Sequence, residues 1–557
     1  MINVCFHKIP YKHLYSILIY TLFICSLSYD SSTRHDMSTI NSVDVLEDWV
    51  SPIIDDIYDY VQPRVKDNGD TLVSMISQRH GVSGFVPVSA SASASASASA
   101  SATSLTPAHS KPRRNNKVMN VWLTQAFNYI RHSEILVNRT DMTTVRSDLY
   151  PLHKVDNSIH MDLLYSGFVP PLIRTYISER GKYIMRTKFN LSGHNFIIDN
   201  MFFGEVSALE LEQYKEMLHW VIVLIGVMVM IDMRSRKEHS GDGDEDEDRD
   251  NAKAESSRAK SSNKRSHTHT HNRNFHIQLF LTPFIKALPS ATLEAIGPAH
   301  VNSGVSSSRG DTSLIMVFRN EEWFKVLIHE LFHVFHFDLS LLSDGRYWKI
   351  VQERFQSTFP IKSDFNISES IAEFWATLLN AVFIAYRQTK PIEEEADHPF
   401  VHLEYTLAVA RFLIMSEQVF SLFQMAKILN YMNMTYQDLY RVGDDAVSLR
   451  EYFYREETNV FAYYILKTIM LYNAEDYIAW SRSKSYKRSF MLSLNPTDET
   501  ILSFYAWVIT KYKSAEMLAD FEKMRKNYVT LSTLSDDRVR RLAKTMRMTI
   551  AKWDADR

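Results

Sequence analysis

The stretch Arg319–Asp338, RNEEWFKVLIHELFHVFHFD, limits what this chain can be more than any other part of it. At its centre, His329-Glu330-Leu331-Phe332-His333 spaces two imidazoles four residues apart. On a helix that is about 40° around the axis and one turn along it, so both rings can reach a single tetrahedral ion. Glu330 then points beside such an ion and not at it, where a base can take a proton from a bound water. The flanks support a helix. Asn320 is the expected N-cap, Glu321 and Glu322 bring negative charge to the first turn, and no Gly or Pro interrupts before Gly345. Phe324, Leu327, Ile328, Leu331 and Phe335 keep the rhythm of a buried stripe on the face away from the two histidines. The competing reading is an amphipathic helix whose histidines merely line a core or a surface. Just upstream, Ser313–Phe318 (SLIMVF) reads as a strand that enters the helix almost without a loop.

The run Val326–Phe335 resembles the zinc-binding helix of the zincin metallopeptidases. It departs from the metzincin branch, because His336 and Leu339 stand where that branch has a glycine and a third histidine. Ser368-Glu369-Ser370-Ile371-Ala372-Glu373-Phe374-Trp375-Ala376 is similar to the second helix of the gluzincin branch, which carries an acidic ligand and another acidic residue one turn later. The resemblance implies Glu369 as third metal ligand and Glu373 as the carboxylate that holds a zinc-bound histidine by its other nitrogen. Glu373 itself, Asp338, Asp344 and Glu353 are the alternative third ligands, and a solvated helix edge is the plain reading of the Glu369/Glu373 pair. His336 lies two turns from His329, too far to share its ion, and is expected to line a pocket wall. The resemblance extends to predicted zinc peptidases of large DNA viruses. It implies an α+β fold, a zincin-like domain of twisted sheet and metal helix, Zn2+ as cofactor, and a peptide or protein substrate. In that family the strand before the metal helix binds extended substrate by main-chain pairing, which would make Ser313–Phe318 the substrate edge.

With 557 residues, 45% hydrophobic and 12% aromatic content, there is material for one large or two medium domains, and a net charge of -3 gives no sign of nucleic-acid binding. Residues 1–28 have a basic start and an apolar run from Leu14 to Leu27, the pattern of a signal peptide or, failing that, an N-terminal anchor. That implies a secreted or membrane-associated protein, the alternative being a cytoplasmic or virion one. Both cysteines, Cys5 and Cys25, fall within it, so a processed chain would have neither disulfides nor a cysteine nucleophile. Residues 29–117 are polar and carry a Ser-Ala alternation from Ser89 to Ala102, which reads as a flexible tether.

The folded part is expected to begin at Val118, with a zincin-like domain to residue 390 and a helical lobe over 391–557 closing the cleft. Within the first, Asn120–His132 reads as helix, Lys182–Asn190 and His194–Phe203 as a strand pair, and Val206–His219 as helix. Trp220–Ile231 (WVIVLIGVMVMI) is short for a membrane span and rich in Val and Ile, so a buried strand is expected. Residues 232–274 read as a disordered charged insertion, and Phe275–Leu281 as a strand beside the interrupted one. Arg309-Gly310-Asp311 is a loop and not an adhesion signal. In the lobe, helices are expected over Leu403–Leu422, Thr435–Arg441, Asn459–Tyr472, Ile501–Tyr512 and Asp536–Ile550, the last capped by Ser535. His402, Tyr405, Tyr463 and Tyr464 are the candidates there for a donor to a developing oxyanion.

The expected function is zinc-dependent peptide-bond hydrolysis with Glu330 as general base and His329, His333 and Glu369 as ligands. The aminopeptidase pattern G-x-M-E-N is missing, which leans toward an endopeptidase. Two other classes stand beside it: a catalytically inactive zincin-like binding or structural surface protein, and a membrane-tethered interaction protein resting on the two apolar runs.

Overall fold

The β2–β3 pair shows how local sequence becomes architecture. Tyr183–Leu191 (β2) and His194–Phe202 (β3) pair antiparallel around Ser192 and Gly193. Both turn residues have positive φ, 50° and 85°, which is the turn whose twist matches two flanking strands. The computed structural model describes residues 117–139, 145–154, 159–239, 272–291, 293–396, 399–486, 490–533 and 537–553. The expected signal peptide or anchor, nearly all of the tether, and the proposed Ser535 cap lie outside them.

Six strands form one mixed sheet in the order β1-β2-β3-β4-β6-β5. β1 is Arg146–Pro151, β4 Asn274–Thr282, β5 Gly304–Arg309 and β6 Thr312–Arg319. β3, β4 and β6 run parallel to one another, while β1–β2, β2–β3 and β5–β6 pair antiparallel. Arg309-Gly310-Asp311 belongs to the β5–β6 hairpin turn, with Gly310 at φ 57°. Alternation along the strands gives the sheet two apolar faces. Ile184, Met201, Phe280, Met316 and Phe318 pack against Leu163, Leu164, Ile173 and Ile177 on one side. On the other, Phe275 stacks on Phe335, two residues after His333, ring centroids 5.0 Å apart.

Among the described residues, the α-helices longer than five residues are α1 Lys117–Arg139, α2 Pro171–Arg180, α3 Ala208–His239, α4 Trp323–Phe335, α5 Arg346–Thr358, α6 Ile367–Ala396 and α7 Pro399–Tyr431. They continue with α8 Asp444–Phe453, α9 Lys467–Tyr472, α10 Ala474–Lys484, α11 Asp498–Lys511, α12 Ala515–Ser532 and α13 Asp537–Lys544. A π-helical turn, Phe461–Leu466, leads directly into α9. The fold is therefore α+β, with α1–α3 before or between the strands and α4–α13 after the last strand. α6 runs through the boundary expected at 390/391, and Val118–Arg557 forms one compact unit.

Several expectations change. Trp220–Ile231 is not a strand but the middle of α3, which also takes in Asp232–His239 from the expected insertion. A fully buried apolar run has no periodicity to separate strand from helix, and here the preceding helix simply continues. Gly226 lets α3 press on α1, since a Cβ there would lie 2.1 Å from Ser133 Oγ, itself bonded to the Val223 carbonyl at 2.7 Å. β4 consequently lies between β3 and β6. Ser313–Phe318 is also an interior strand, paired on both sides, so it cannot accept an added strand. The free edge on that side of the sheet is β5. Thr435–Arg441 is reduced to a single turn at Gln437–Leu439, and the last helix stops at Lys544. Among the described residues, three helices are long and apolar enough to cross a membrane, over Ala208–Arg236, Ile367–Lys390 and His402–Tyr431. Their most apolar windows are 78%, 94% and 61% buried inside the protein.

α4 starts at Trp323, with Glu322 at the N-cap position in the left-handed region (φ 62°), so Asn320 is not the cap. The Glu322 side chain is buried and pairs with the buried Lys286, while also accepting from the Met548 and Thr549 amides at 2.7 and 2.6 Å. Burial alone would raise this carboxyl, but Lys286, Lys325 and Arg547 prevail and lower it from an ordinary 4.5 to about 2. As pH falls, the unfolded chain therefore takes the proton first. The stability owed to Glu322 is complete above about pH 4.5 and drains away as the pH drops toward 2. Urea midpoints measured across that range should decline, and Glu322→Gln should decline less steeply. An equal slope in the variant would place the acid sensitivity elsewhere.

Candidate metal centre

α4 is buried on almost every side. Trp323 to Glu330 and Leu331, Phe332, Val334 and Phe335 are all inside, and His333 alone keeps partial access. Its C-terminal end is held by Arg273, whose guanidinium bonds the Val334 carbonyl and lies over the Phe275 and Phe335 rings at 4.9 and 5.7 Å. α6 crosses α4 with Phe383 edge-on to Phe324, centroids 5.4 Å apart. This packing brings the first turns of α6 against the histidines.

The three expected donors meet. His329 Nε2 and His333 Nε2 are 3.0 Å apart, and Glu369 Oε2 lies 3.0 Å from the first and 3.4 Å from the second. Donors on a tetrahedral ion with bonds of 2.0–2.1 Å stand about 3.3 Å apart, so this set fits one such ion. Among the described residues it is the one group of three or more His, Cys, Asp or Glu side chains so gathered.

The far nitrogens are also occupied. Glu373 Oε2 lies 3.1 Å from His329 Nδ1, in a contact bent away from a straight hydrogen bond. Asp338 bonds His333 Nδ1 and uses its other oxygen to accept from the Ser340 amide at 3.0 Å. Each ring is thus backed by a carboxylate at Nδ1, which turns Nε2 toward the shared point. Accessibility separates the roles: His333 and Glu369 side chains are each 18% exposed, against 2% for Glu373 and 0% for Asp338. Glu369 therefore stands on the open side, and the other two carboxylates form the back wall. Asp344 and Glu353, the remaining alternatives, face solvent. Asp338 as partner of His333 was not anticipated. Its sequence position five residues on signals nothing until the chain reverses after Phe335, where His336 (φ 59°) and Leu339 (φ 67°) take left-handed conformations. His336 keeps its Nδ1 buried without a hydrogen-bond partner and is not part of the donor set.

Electrostatics follow from burial and these contacts. Burial alone would lower His333, but the Glu369 and Asp338 carboxylates raise it well above the ordinary imidazole range. Glu369 would be raised by burial and is instead brought well below its usual value by His333 and His329. Glu330 is raised, because burial outweighs the pull of His329 and His333 and a hydrogen bond from Ser306. That is the direction a general base needs.

Of the four oxyanion candidates, Tyr463 is at the centre. Its hydroxyl donates to Glu369 Oε2 at 2.9 Å, and burial with the neighbouring Glu369 charge keeps it protonated far above neutral pH. Adjacent Tyr464 donates instead to the Met546 carbonyl at 2.6 Å. His402 is packed between Phe127 and Tyr386 and bonds the Tyr386 carbonyl at 3.2 Å, and Tyr405 lies one turn further along α7.

β5 passes over α4 at Glu330. A Cβ on Gly304 would lie 2.6 Å from Glu330 Oε1 and 2.7 Å from Val326 Cγ1. Only glycine allows this approach, and sequence pattern gave no sign of it. Gly304→Ala should cost about 1–3 kcal/mol by overpacking and leave metal binding in place, because none of the three donors touches the new methyl. Chemical denaturation and metal titration test both parts; a variant as stable as the parent would mean that strand and helix are further apart.

Comparison of the chain with family models, with curated proteins and with solved structures gives no match.

Proposed function

We propose that the protein is a zinc-dependent metallopeptidase of zincin type. The observation that carries this reading is the convergence of His329 Nε2, His333 Nε2 and Glu369 Oε2 within 3.0–3.4 Å, with a carboxylate behind each imidazole. A donor set of two imidazoles and one carboxylate suits Zn2+ with a coordination position left over. When bound, the ion acidifies a water molecule and polarises the scissile carbonyl.

The chain's own groups supply the rest. Glu330, with its carboxyl raised by burial, accepts the proton of the attacking water and passes it to the leaving amine. Tyr463 provides a hydroxyl donor to the oxygen on which negative charge develops. An extended peptide would pair with the free edge of β5, whose Ser306 also holds Glu330 by hydrogen bond, so binding edge and base share one strand. This moves the substrate edge from Ser313–Phe318 to Gly304–Arg309. An inactive scaffold gains nothing from a base placed beside its donors, which favours the enzyme over the binding-protein reading.

Purified protein should contain one zinc per chain and cleave unstructured peptides. Glu330→Gln should keep the metal and lose about 10²–10⁴-fold in kcat, while His333→Ala should lose the metal as well. Metal analysis beside a peptide-hydrolysis assay distinguishes these outcomes, and wild-type turnover in Glu330→Gln would falsify the role given to this carboxylate.

A further inference from the structure

Behind the metal centre, the segment after α13 behaves like a peptide bound inside its own protein. Residues 546–553 make no helix or strand, yet Met546, Met548, Thr549, Ala551 and Trp553 are buried. Buried main chain outside regular structure needs partners from elsewhere, and here side chains provide them. Lys427 Nζ donates to the carbonyls of Leu542 and Thr545 at 2.7 and 2.6 Å, and Tyr464 to that of Met546 at 2.6 Å. Glu322 accepts the amides of Met548 and Thr549, and Glu417 those of Ile550 and Ala551 at 3.1 and 3.0 Å. Trp553 ends the run stacked on Phe324 of the metal helix at 4.0 Å.

Two of these contacts lead to the metal donors. Lys467 Nζ donates to the Met548 carbonyl at 2.6 Å and sits 3.6 Å from Glu373 Oε1. Lys325 Nζ is 2.5 Å from the same Glu373 oxygen and 3.8 Å from Met548 Sδ. The other Glu373 oxygen faces His329 Nδ1 at 3.1 Å. All three charged side chains are 2% exposed, so water offers no alternative partner. The π-helical turn before α9 adds a second link. Its neighbouring residues Tyr463 and Tyr464 reach opposite ways, the first to Glu369 and the second to the Met546 carbonyl.

We infer that Lys467 and Lys325 are positioning residues for the metal centre, and that segment Thr545–Trp553 is the strap that holds them against Glu373. The strap fixes where the ammonium groups stand. They fix the Glu373 carboxylate, and it fixes the His329 ring. Tyr464 anchors the turn that aims Tyr463. The inference rests on the metal-site reading and adds to it that affinity for the ion is set partly by a segment that never touches the ion.

The test is metal affinity in the full chain, measured by competition with a chromophoric chelator using Zn2+ and Co2+, beside the urea midpoint. Lys467→Met should weaken binding about 10–100-fold, the range for lost partners of metal-bound histidines, and Lys467→Arg should restore most of it. Lys427→Met, which loosens the strap without touching Glu373, should weaken binding several-fold, and it serves if Lys467→Met fails to fold. A merely structural role would lower the midpoints without changing the affinity of the folded protein or separating Met from Arg at position 467. Wild-type affinity in folded Lys467→Met and Lys427→Met overturns the inference alone. Absence of metal binding in the wild-type chain overturns it together with the metal-site reading.

Discussion

A buried row of charges governs this structure. Glu373 lies between Lys325 and Lys467, and Glu322 against Lys286, with side chains 0–2% exposed. Removing any of these ions from water costs several kcal/mol, which is recovered only if partners are fixed in place. The helices that carry Lys325, Glu373 and Lys467, namely α4, α6 and α9, can therefore pack together in few ways, because sliding one helix by a turn would strand a charge. The same restriction brings Glu369 against His329 and His333, since Glu369 and Glu373 are one turn apart on α6. Stability and site geometry are in this sense one requirement. An uncharged core would hold the helices with less specific register.

What could be read directly from the sequence was what depends on short spacings. Two histidines four apart and two glutamates four apart determine faces of helices, and faces decide which atoms can meet. The β2–β3 hairpin was legible because its turn residues state their backbone conformation. Trp220–Ile231 was not, because an interior segment lacks the contrast between wet and dry sides on which periodicity depends. The order of the sheet was hidden for another reason. Whether Ser313–Phe318 is an edge is decided by β5, a serine-rich strand of low hydrophobicity that pairs with β6 through backbone atoms of any sequence.

The carboxylate partners show the limit more finely. Glu373 is legible as a partner of His329 because it lies one turn from Glu369 on the same helix, while the sequence presents Asp338 only as an alternative ligand. Asp338 reaches His333 Nδ1 through a chain reversal with left-handed residues at His336 and Leu339, positions where neither a glycine nor an asparagine advertises the turn. Lys325 and Lys467 would pass in sequence for exposed helix positions, and their burial becomes meaningful only once Glu373 and Met548 are seen beside them.

The two carboxylates behind the histidines are held in different ways, which bears on how the centre can respond. Asp338 is fixed locally, by its neighbour Ser340 and by the turn it sits in. Glu373 is fixed from a distance, by lysines from two other helices and through them by Met548. A disturbance in the segment after α13 thus reaches the far nitrogen of His329 through two intervening side chains, Lys467 and Glu373, whereas the Tyr464–Tyr463 link reaches Glu369, which faces both imidazoles. Of the two imidazoles, His329 is the one whose orientation is tied to the packing of the second half of the chain. The far nitrogen of His333 is held by the turn that follows its own helix, so the site draws one imidazole's backing from local structure and the other's from the long-range fold.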